Sequence, residues 1–199
     1  MRLLIAGGGT GGHVFPAVAL AERLRVESKG DEVLFVGTAR GLEAKVVPDR
    51  GFSLETVDVT GFAGKSLGAR VVFFGLLIKS VVQSLGILRR FRPDVVLGVG
   101  GYASLPVLLA ARMKRIPYVV HEQNAIPGGV SRIMGRWAKR VCLSFADIRG
   151  IFPAGSTRVT GNPVREEIAA CPPLPVEKPQ LLIFGGSQGA QAINQVMIN

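Results

Sequence analysis

The sequence is short of charge, cysteine and long apolar runs. Charged side chains make up 19% of its 199 residues, against ~25% in ordinary soluble domains. Two cysteines cannot staple a chain of this length, which excludes a disulfide scaffold; Cys142 and Cys171 read as incidental thiols in a reducing cytosol. The opening Met1-Arg2-Leu3-Leu4-Ile5-Ala6 runs straight into glycines, too short an apolar stretch for a secretory signal, and reads as a buried first strand. Glycine shows no collagen period, and the basic residues lack an interleaved set of stacking aromatics, so no nucleic acid is expected as a partner.

Apolar residues reach 48%, ample for a packed core and incompatible with a disordered basic tail. The net charge of +10 is unevenly placed. Residues 59–140 hold 13 basic side chains and two acidic ones, Asp94 and Glu122, a balance of +11, while the remainder balances at −1. A stretch of that kind favours phosphates or acidic lipid headgroups; its alternative is a solvated face that aids solubility.

Short apolar runs at residues 3–6, 33–36, 95–99, 118–121, 141–143 and 181–184 lack polar alternation, as in strands covered on both faces of a parallel sheet. Helical patterns lie between them at residues 16–28, 41–50, 67–91, 104–114 and 131–138. The alternation predicts a doubly wound α/β sheet. Five prolines between residues 161 and 180 mark an inter-domain linker, after which residues 181–199 restart a strand, a glycine loop and a helix. One strand and one helix close no core, so the expected organisation is a domain over 1–161, a linker over 162–180 and the truncated start of a second domain over 181–199.

Three glycine-rich loops each follow a strand and enter a helix: Gly7-Gly8-Gly9-Thr10-Gly11-Gly12-His13, Gly98-Val99-Gly100-Gly101-Tyr102 and Gly185-Gly186-Ser187-Gln188-Gly189. Glycine lets backbone N–H groups approach a ligand, and the helix N-terminus adds partial positive charge suited to a phosphate. The first loop satisfies G-x-G-x-x-G, but the second strand ends Phe35-Val36-Gly37-Thr38-Ala39 with no acid for a ribose hydroxyl, and His13-Val14 stands where a P-loop needs Lys-[Ser/Thr]. The other reading of these loops is tight strand–helix packing.

His13, at the helix entrance, is a general base, a phosphate donor or a cap. His121-Glu122-Gln123-Asn124 falls at the end of a strand, where four polar side chains would read sugar hydroxyls or a pyrophosphate, or form an orienting hydrogen-bond network. His121 and Glu122 point to opposite faces of an extended segment, and no third metal ligand is evident.

Within the basic stretch, Val71-Val72-Phe73-Phe74-Gly75-Leu76-Leu77-Ile78 is apolar on every face, while Lys79, Gln83 and Arg90 share a narrow polar stripe. Lys79 and Gln83 interrupt the run before the ~20 residues that span a bilayer. With Lys65, Arg70, Arg89, Arg90 and Arg92 beside it, the patch suits an anionic membrane surface; otherwise a neighbouring segment or subunit covers it.

Five ordered motifs carry a family resemblance: Gly8-Gly9-Thr10-Gly11-Gly12-His13-Val14-Phe15-Pro16-Ala17, Gly100-Gly101-Tyr102-Ala103-Ser104, His121-Glu122-Gln123-Asn124, Gly161-Asn162-Pro163-Val164-Arg165 and Gly185-Gly186-Ser187-Gln188-Gly189-Ala190. From end to end the chain resembles the MurG family of peptidoglycan glycosyltransferases, which move N-acetylglucosamine from UDP onto a lipid-linked muramyl-pentapeptide (lipid I to lipid II). The resemblance implies two Rossmann-like domains facing a cleft, the GT-B architecture. It implies inverting transfer without a tightly bound metal or other cofactor, at the cytoplasmic face of the bacterial cell membrane. Thr10, Gly11, Gly12, Asn124, Arg165 and Ser187 match the family's UDP-N-acetylglucosamine contacts. Gly9, Gly100, Gly101 and Tyr102 match the region for the acceptor pyrophosphate, with His121 and Glu122 beside it, and His13 matches a candidate catalytic base. Because the second domain is cut short, this chain alone is expected to show no turnover. The competing readings are a nucleotide-dependent oxidoreductase, resting on G-x-G-x-x-G, and a non-catalytic membrane-surface module, resting on the basic apolar face.

Overall fold

A computed structural model describes residues 1–61, 67–147, 149–172 and 195–196, with the backbone alone for 67–71. The chain divides into two units, Met1–Arg165 and Glu166–Asn199. Among the described residues seven strands build the first: β1 (Arg2–Ala6), β2 (Glu32–Gly37), β3 (Ser53–Thr56), β4 (Val95–Gly98), β5 (Tyr118–Glu122), β6 (Arg140–Leu143) and β7 (Thr157–Val159). They lie in the order β3-β2-β1-β4-β5-β6-β7, every adjacent pair parallel. Helices α1 (Gly11–Glu27), α2 (Glu43–Asp49), α3 (Leu67–Phe91), α4 (Ser104–Met113) and α5 (Gly129–Met134) connect them, and a 3-10 turn, Gly135–Trp137, extends α5. This is the doubly wound α/β sheet expected from the sequence. In the second unit the described residues include α6 (Glu166–Ala169), none of it buried; the strand and glycine loop expected at residues 181–189 lie outside the described residues.

Strand periodicity of two divides the core between the sheet's faces. Leu4 and Ala6 of β1 join Leu34, Val36 and Val96 on one face, beneath α3 and α4. Leu3 and Ile5 join Phe35 and Leu97 on the other, beneath α1.

Two strands escaped the sequence reading. β3 and β7 are the sheet's edges, and Ser53-Leu54-Glu55-Thr56 and Thr157-Arg158-Val159 lack the buried runs of the central strands. α1 also begins earlier than Pro16. The carbonyl of Thr10 accepts N–H bonds from both His13 and Val14 at 3.1 Å, which starts the helix at Gly11 with Pro16 inside it. Early in a helix a proline forfeits a single backbone bond. His13 therefore sits on the first turn of α1.

By length and composition, Val72–Phe91 of α3 is long and apolar enough to cross a membrane, a longer run than the sequence reading allowed. Part of it belongs to the domain: Ser80, Ser84, Ile87 and Leu88 are buried, and the Ser80 and Ser84 hydroxyls donate back to the carbonyls of Leu77 and Ser80. The polar stripe pairs with acids of the domain, although Lys79 and Arg90 stay exposed. Gln83 bonds both the main-chain N–H and the carboxylate of Asp58, Lys79 pairs with Asp58 at 2.7 Å, and Arg90 pairs with Glu55. Val72, Phe74, Ile78 and Val82 are left 58–66% exposed.

Candidate functional site

The order of strand addition reverses between β1 and β4, and in open α/β sheets ligands bind at that switch point, off the carboxyl ends of the strands. The loops at residues 7–12 and 99–103 leave those two strands and touch each other. A Cβ on Gly101 would lie 2.4 Å from the Gly8 carbonyl oxygen, and one on Gly7 would lie 2.7 Å from that of Gly100. Only glycine permits backbone approach this close. The second loop's side faces His13, whose ring lies against the α-carbon of Gly100 and whose Nδ1 is 3.2 Å from the Thr10 hydroxyl. The Tyr102 ring stands between Gly9 and Gly61, 40% exposed.

These groups open onto a cavity of about 640 Å³. His13, Gly100, Gly101 and Tyr102 line its polar end with Glu122 and Asn124, and Val59, Phe73, Phe74, Leu105, Val130 and Ile133 form apolar walls. The structure thus gathers the two N-terminal glycine loops, the histidine and half of the His121–Asn124 cluster.

The other half faces away. His121 lines a separate cavity of about 260 Å³ with Pro16, Val99, Cys142 and Gly161. Its Nε2–H donates to the Gly161 carbonyl at 3.2 Å, and its Nδ1 accepts from Gln123 Nε2 at 3.0 Å. Gln123 Nε2 also donates to the Val99 carbonyl, so its orientation sets the neutral tautomer of the imidazole. Burial pushes the His121 pKa below its ordinary value. Glu122, 2% exposed, accepts from the main chain of Asn124 and Gly128 and from Asn124 Nδ2 at 2.8–3.0 Å. Burial alone would raise its pKa, but the hydrogen bonds from Ser131, Asn124 and Gly128 together outweigh it and hold the carboxyl below its usual value. Asn124, although exposed, thus has its side-chain N–H engaged by Glu122.

Thr10, Gly11 and Gly12 form the N-terminus of α1. Arg165 comes to the same place: its guanidinium lies 4.7 Å over the Phe15 ring, and that ring abuts Gly11. Ser187 lies outside the described residues. Among the described residues no three His, Cys, Asp or Glu side chains gather in metal-binding reach.

One residue of the site was not legible in the sequence. Glu43, the first residue of α2, is 2% exposed, and its carboxylate accepts the N–H of Gly9 at 2.8 Å and both the N–H and O–H of Thr38 at 2.8 Å. An acid in the first turn of a short helix reads as a surface helix start. The signal that could have shown it is the pair Gly37 and Gly41, whose α-carbons flank the carboxylate.

A parallel doubly wound sheet with two glycine loops and a helix N-terminus at its switch point defines a Rossmann-like protein of the α/β class. The family is narrower: residues 3–143 match the glycosyltransferase family 28 N-terminal domain, and the chain belongs to that family. It is 56% identical over 198 residues to the UDP-N-acetylglucosamine–N-acetylmuramyl-(pentapeptide) pyrophosphoryl-undecaprenol N-acetylglucosamine transferase of Syntrophotalea carbinolica, covering 100% of this chain and 55% of that one. It is 48% identical to the transferase of the same name from Geotalea uraniireducens, covering 100% of this chain and 56% of the relative. Among solved structures, Acinetobacter baumannii MurG superposes with a TM-score of 0.68 at 31% identity, over 84% of this chain and 47% of that one. The chain spans about half the length of the curated relatives it matches.

Proposed function

We propose that this chain supplies the acceptor-binding half of an inverting transferase that moves N-acetylglucosamine from UDP-N-acetylglucosamine to a lipid-linked muramyl-pentapeptide, lipid I to lipid II, in peptidoglycan synthesis. The observation that carries the reading is the meeting of His13, the Gly100-Gly101-Tyr102 loop and the apolar-walled cavity at the switch point of the sheet. A polyprenyl-pyrophosphate sugar needs that combination: backbone N–H groups for its phosphates, an apolar path for the tail beside them, and a base at its sugar. The relatives' names state the same substrates for those proteins.

His13 is the base. With Nδ1–H donating to the Thr10 hydroxyl, Nε2 keeps its lone pair beside Gly100 and the cavity. It takes the proton of the acceptor's sugar hydroxyl as that oxygen attacks the anomeric carbon and the bond to UDP breaks on the opposite side. The departing diphosphate is received by the N-terminus of α1 at Thr10, Gly11 and Gly12 and by Arg165. Asn124 is assigned to the same donor subsite, and Ser187 is assigned to the nucleotide sugar on the family resemblance alone. In this reading residues 1–161 form the acceptor domain, 162–180 the linker and 181–199 the start of the nucleotide-sugar domain.

The acceptor's tail calls for a membrane surface, and the nucleotide-sugar donor for its cytoplasmic face. The surface that meets anionic lipid is the outward side of α3, Val72, Phe74, Ile78 and Val82, rather than the whole run from Val71 to Ile78. Ile133 joins it across the shared cavity to exposed Trp137, Arg132 and Arg136.

The test is incorporation of labelled N-acetylglucosamine into a lipid-linked muramyl-pentapeptide by this chain alone and by the chain joined to the C-terminal half of the Syntrophotalea carbinolica relative. Turnover by the joined protein, lost in His13→Ala and absent from the chain alone, is the expected result. A folded joined protein that binds UDP-N-acetylglucosamine but leaves the acceptor unmodified overturns the reading.

A further inference from the structure

The loop at residues 7–12 has the form of an anion-binding turn: a buried strand, a G-x-G-x-x-G spacing at Gly7, Gly9 and Gly12, and a helix N-terminus. In sheets of this kind a ligand's phosphates are received by the backbone N–H groups of such a turn. Here one of those groups is already taken. The Gly9 N–H donates to Glu43 Oε2 at 2.8 Å, while Oε1 accepts both the N–H and the O–H of Thr38 at 2.8 Å.

The fit is close on every side. A Cβ built on Gly8, Gly37 or Gly41 would lie 2.1–2.5 Å from the Glu43 side chain, so three backbones close on that side chain without a side chain of their own between. Thr38 is buried with it, and its hydroxyl accepts the N–H of Gly41 at 3.1 Å. The opposite side of loop 7–12 rests on the second glycine loop, where the Gly8 carbonyl meets Gly101. Carboxylate, first loop and second loop are therefore stacked in that order, with the cavity beyond.

We infer that Glu43 is an internal anion built into the first glycine loop: its carboxylate fills the place at Gly9 that a ligand phosphate would take, and so confines the acceptor's phosphates to the side of Gly100 and Gly101. The inference rests on the pyrophosphate reading above and sharpens it. A phosphate brought to the Gly9 N–H would have to displace a bonded carboxylate or share its donor, and two anions at hydrogen-bond separation repel. On the outward side, Glu122 is the one acid among the described residues that line the cavity with Gly100 and Gly101, and its carboxylate is engaged by Asn124 and Gly128. Glu43 touches no ligand in this account; it is a positioning residue that decides which loop the ligand meets.

The inference is tested by titrating the ¹⁵N-labelled chain with inorganic pyrophosphate and following backbone amides. In the unsubstituted protein, Gly100, Gly101 and Tyr102 shift and Gly9 does not. Glu43→Gln offers one acceptor oxygen to three donors and removes the charge: exchange at Gly9 or Thr38 rises roughly tenfold or more with the lost acceptor, core amides such as Val96 stay protected, and Gly9 now responds to pyrophosphate. Thr38→Val disturbs the same cluster but keeps the carboxylate, so Gly9 stays silent; a merely structural role would make the two variants alike. A Gly9 shift in the unsubstituted protein as large as those of Gly100 and Gly101 overturns the inference, and this arm decides even if Glu43→Gln does not fold. If pyrophosphate moves none of these amides, the pyrophosphate reading falls, while exchange at Gly9 still judges the carboxylate.

Discussion

The imidazole of His13 lies against the α-carbon of Gly100, so close that a Cβ at that position would stand 2.9 Å from both Cδ2 and Nε2. The glycine also holds φ at +94°, where a side chain is strained. Gly100→Ala should therefore displace the base while leaving the sheet intact. In the joined transferase we expect kcat to fall on the order of 10²-fold, the usual result of moving a reacting group by about an ångström. Stability should drop by ~1–3 kcal/mol from backbone strain. Measured turnover near the unsubstituted rate, with the melting curve showing the strain, would separate His13 from the chemistry.

The outward side of α3 gives a second prediction. Phe74, Ile78 and Val82 are exposed, whereas Phe73 is half-buried. Serine at the three exposed positions should weaken flotation with anionic liposomes by about fivefold each, for ~1 kcal/mol of apolar contact apiece. The melting temperature should fall little, because Ile78 and Val82 are exposed and Phe74, which meets Phe73 and the cavity, is itself 58% exposed. Undiminished flotation of the triple variant would reject this face as the membrane contact.

How much of this was legible in the sequence follows from where each residue sits. β1, β2, β4, β5 and β6 are flanked on both sides in the sheet, and their continuous apolar runs announced them. Among the described residues β3 and β7 each lack a neighbour on one side, and both read as loop. The length of α3 was legible from its composition, but its pairing was not: Lys79, Gln83 and Arg90 form a polar stripe that reads as wholly solvated, whereas Asp58 and Glu55 bind it at the surface of the domain. His121 and Glu122 part company as strand periodicity requires. Glu43 stayed hidden because what holds it, the Gly9 amide, is 34 residues distant in sequence.

Two buried groups set the acid limb of stability. The folded-state pKa of His121 is lowered from 6.5, so as pH falls past that value the unfolded chain takes up the proton first. Stability from this group is complete above 6.5 and declines below it. Glu122 is lowered from 4.5; its contribution is intact above that value and is lost as pH falls through its folded-state pKa. Urea midpoints should therefore slope downward in two stages. His121→Asn should lie lower throughout yet flatten the first stage, just below 6.5. An unchanged slope there would mean that His121 does not remain neutral in the folded protein.

The contact between Arg165 and Phe15 links the end of the first unit to the start of α1, with the guanidinium 4.7 Å over the ring. It holds a long, rotamer-rich cation beside the Thr10-Gly11-Gly12 turn, where the departing diphosphate is proposed to lie. Phe15→Leu keeps the apolar volume near Gly11 but removes the ring face, at a cost of ~0.5–1 kcal/mol, or about two- to fivefold in binding. In the joined transferase this loss should appear in the KM for UDP-N-acetylglucosamine and leave the KM for the lipid acceptor alone. Arg165→Lys loses the planar stacking and should cost at least as much. Since both changes remove one contact, the double variant should be no worse than Arg165→Lys alone. Additive losses, or an equal rise in the acceptor's KM, would show that Arg165 reaches the site by some route other than Phe15.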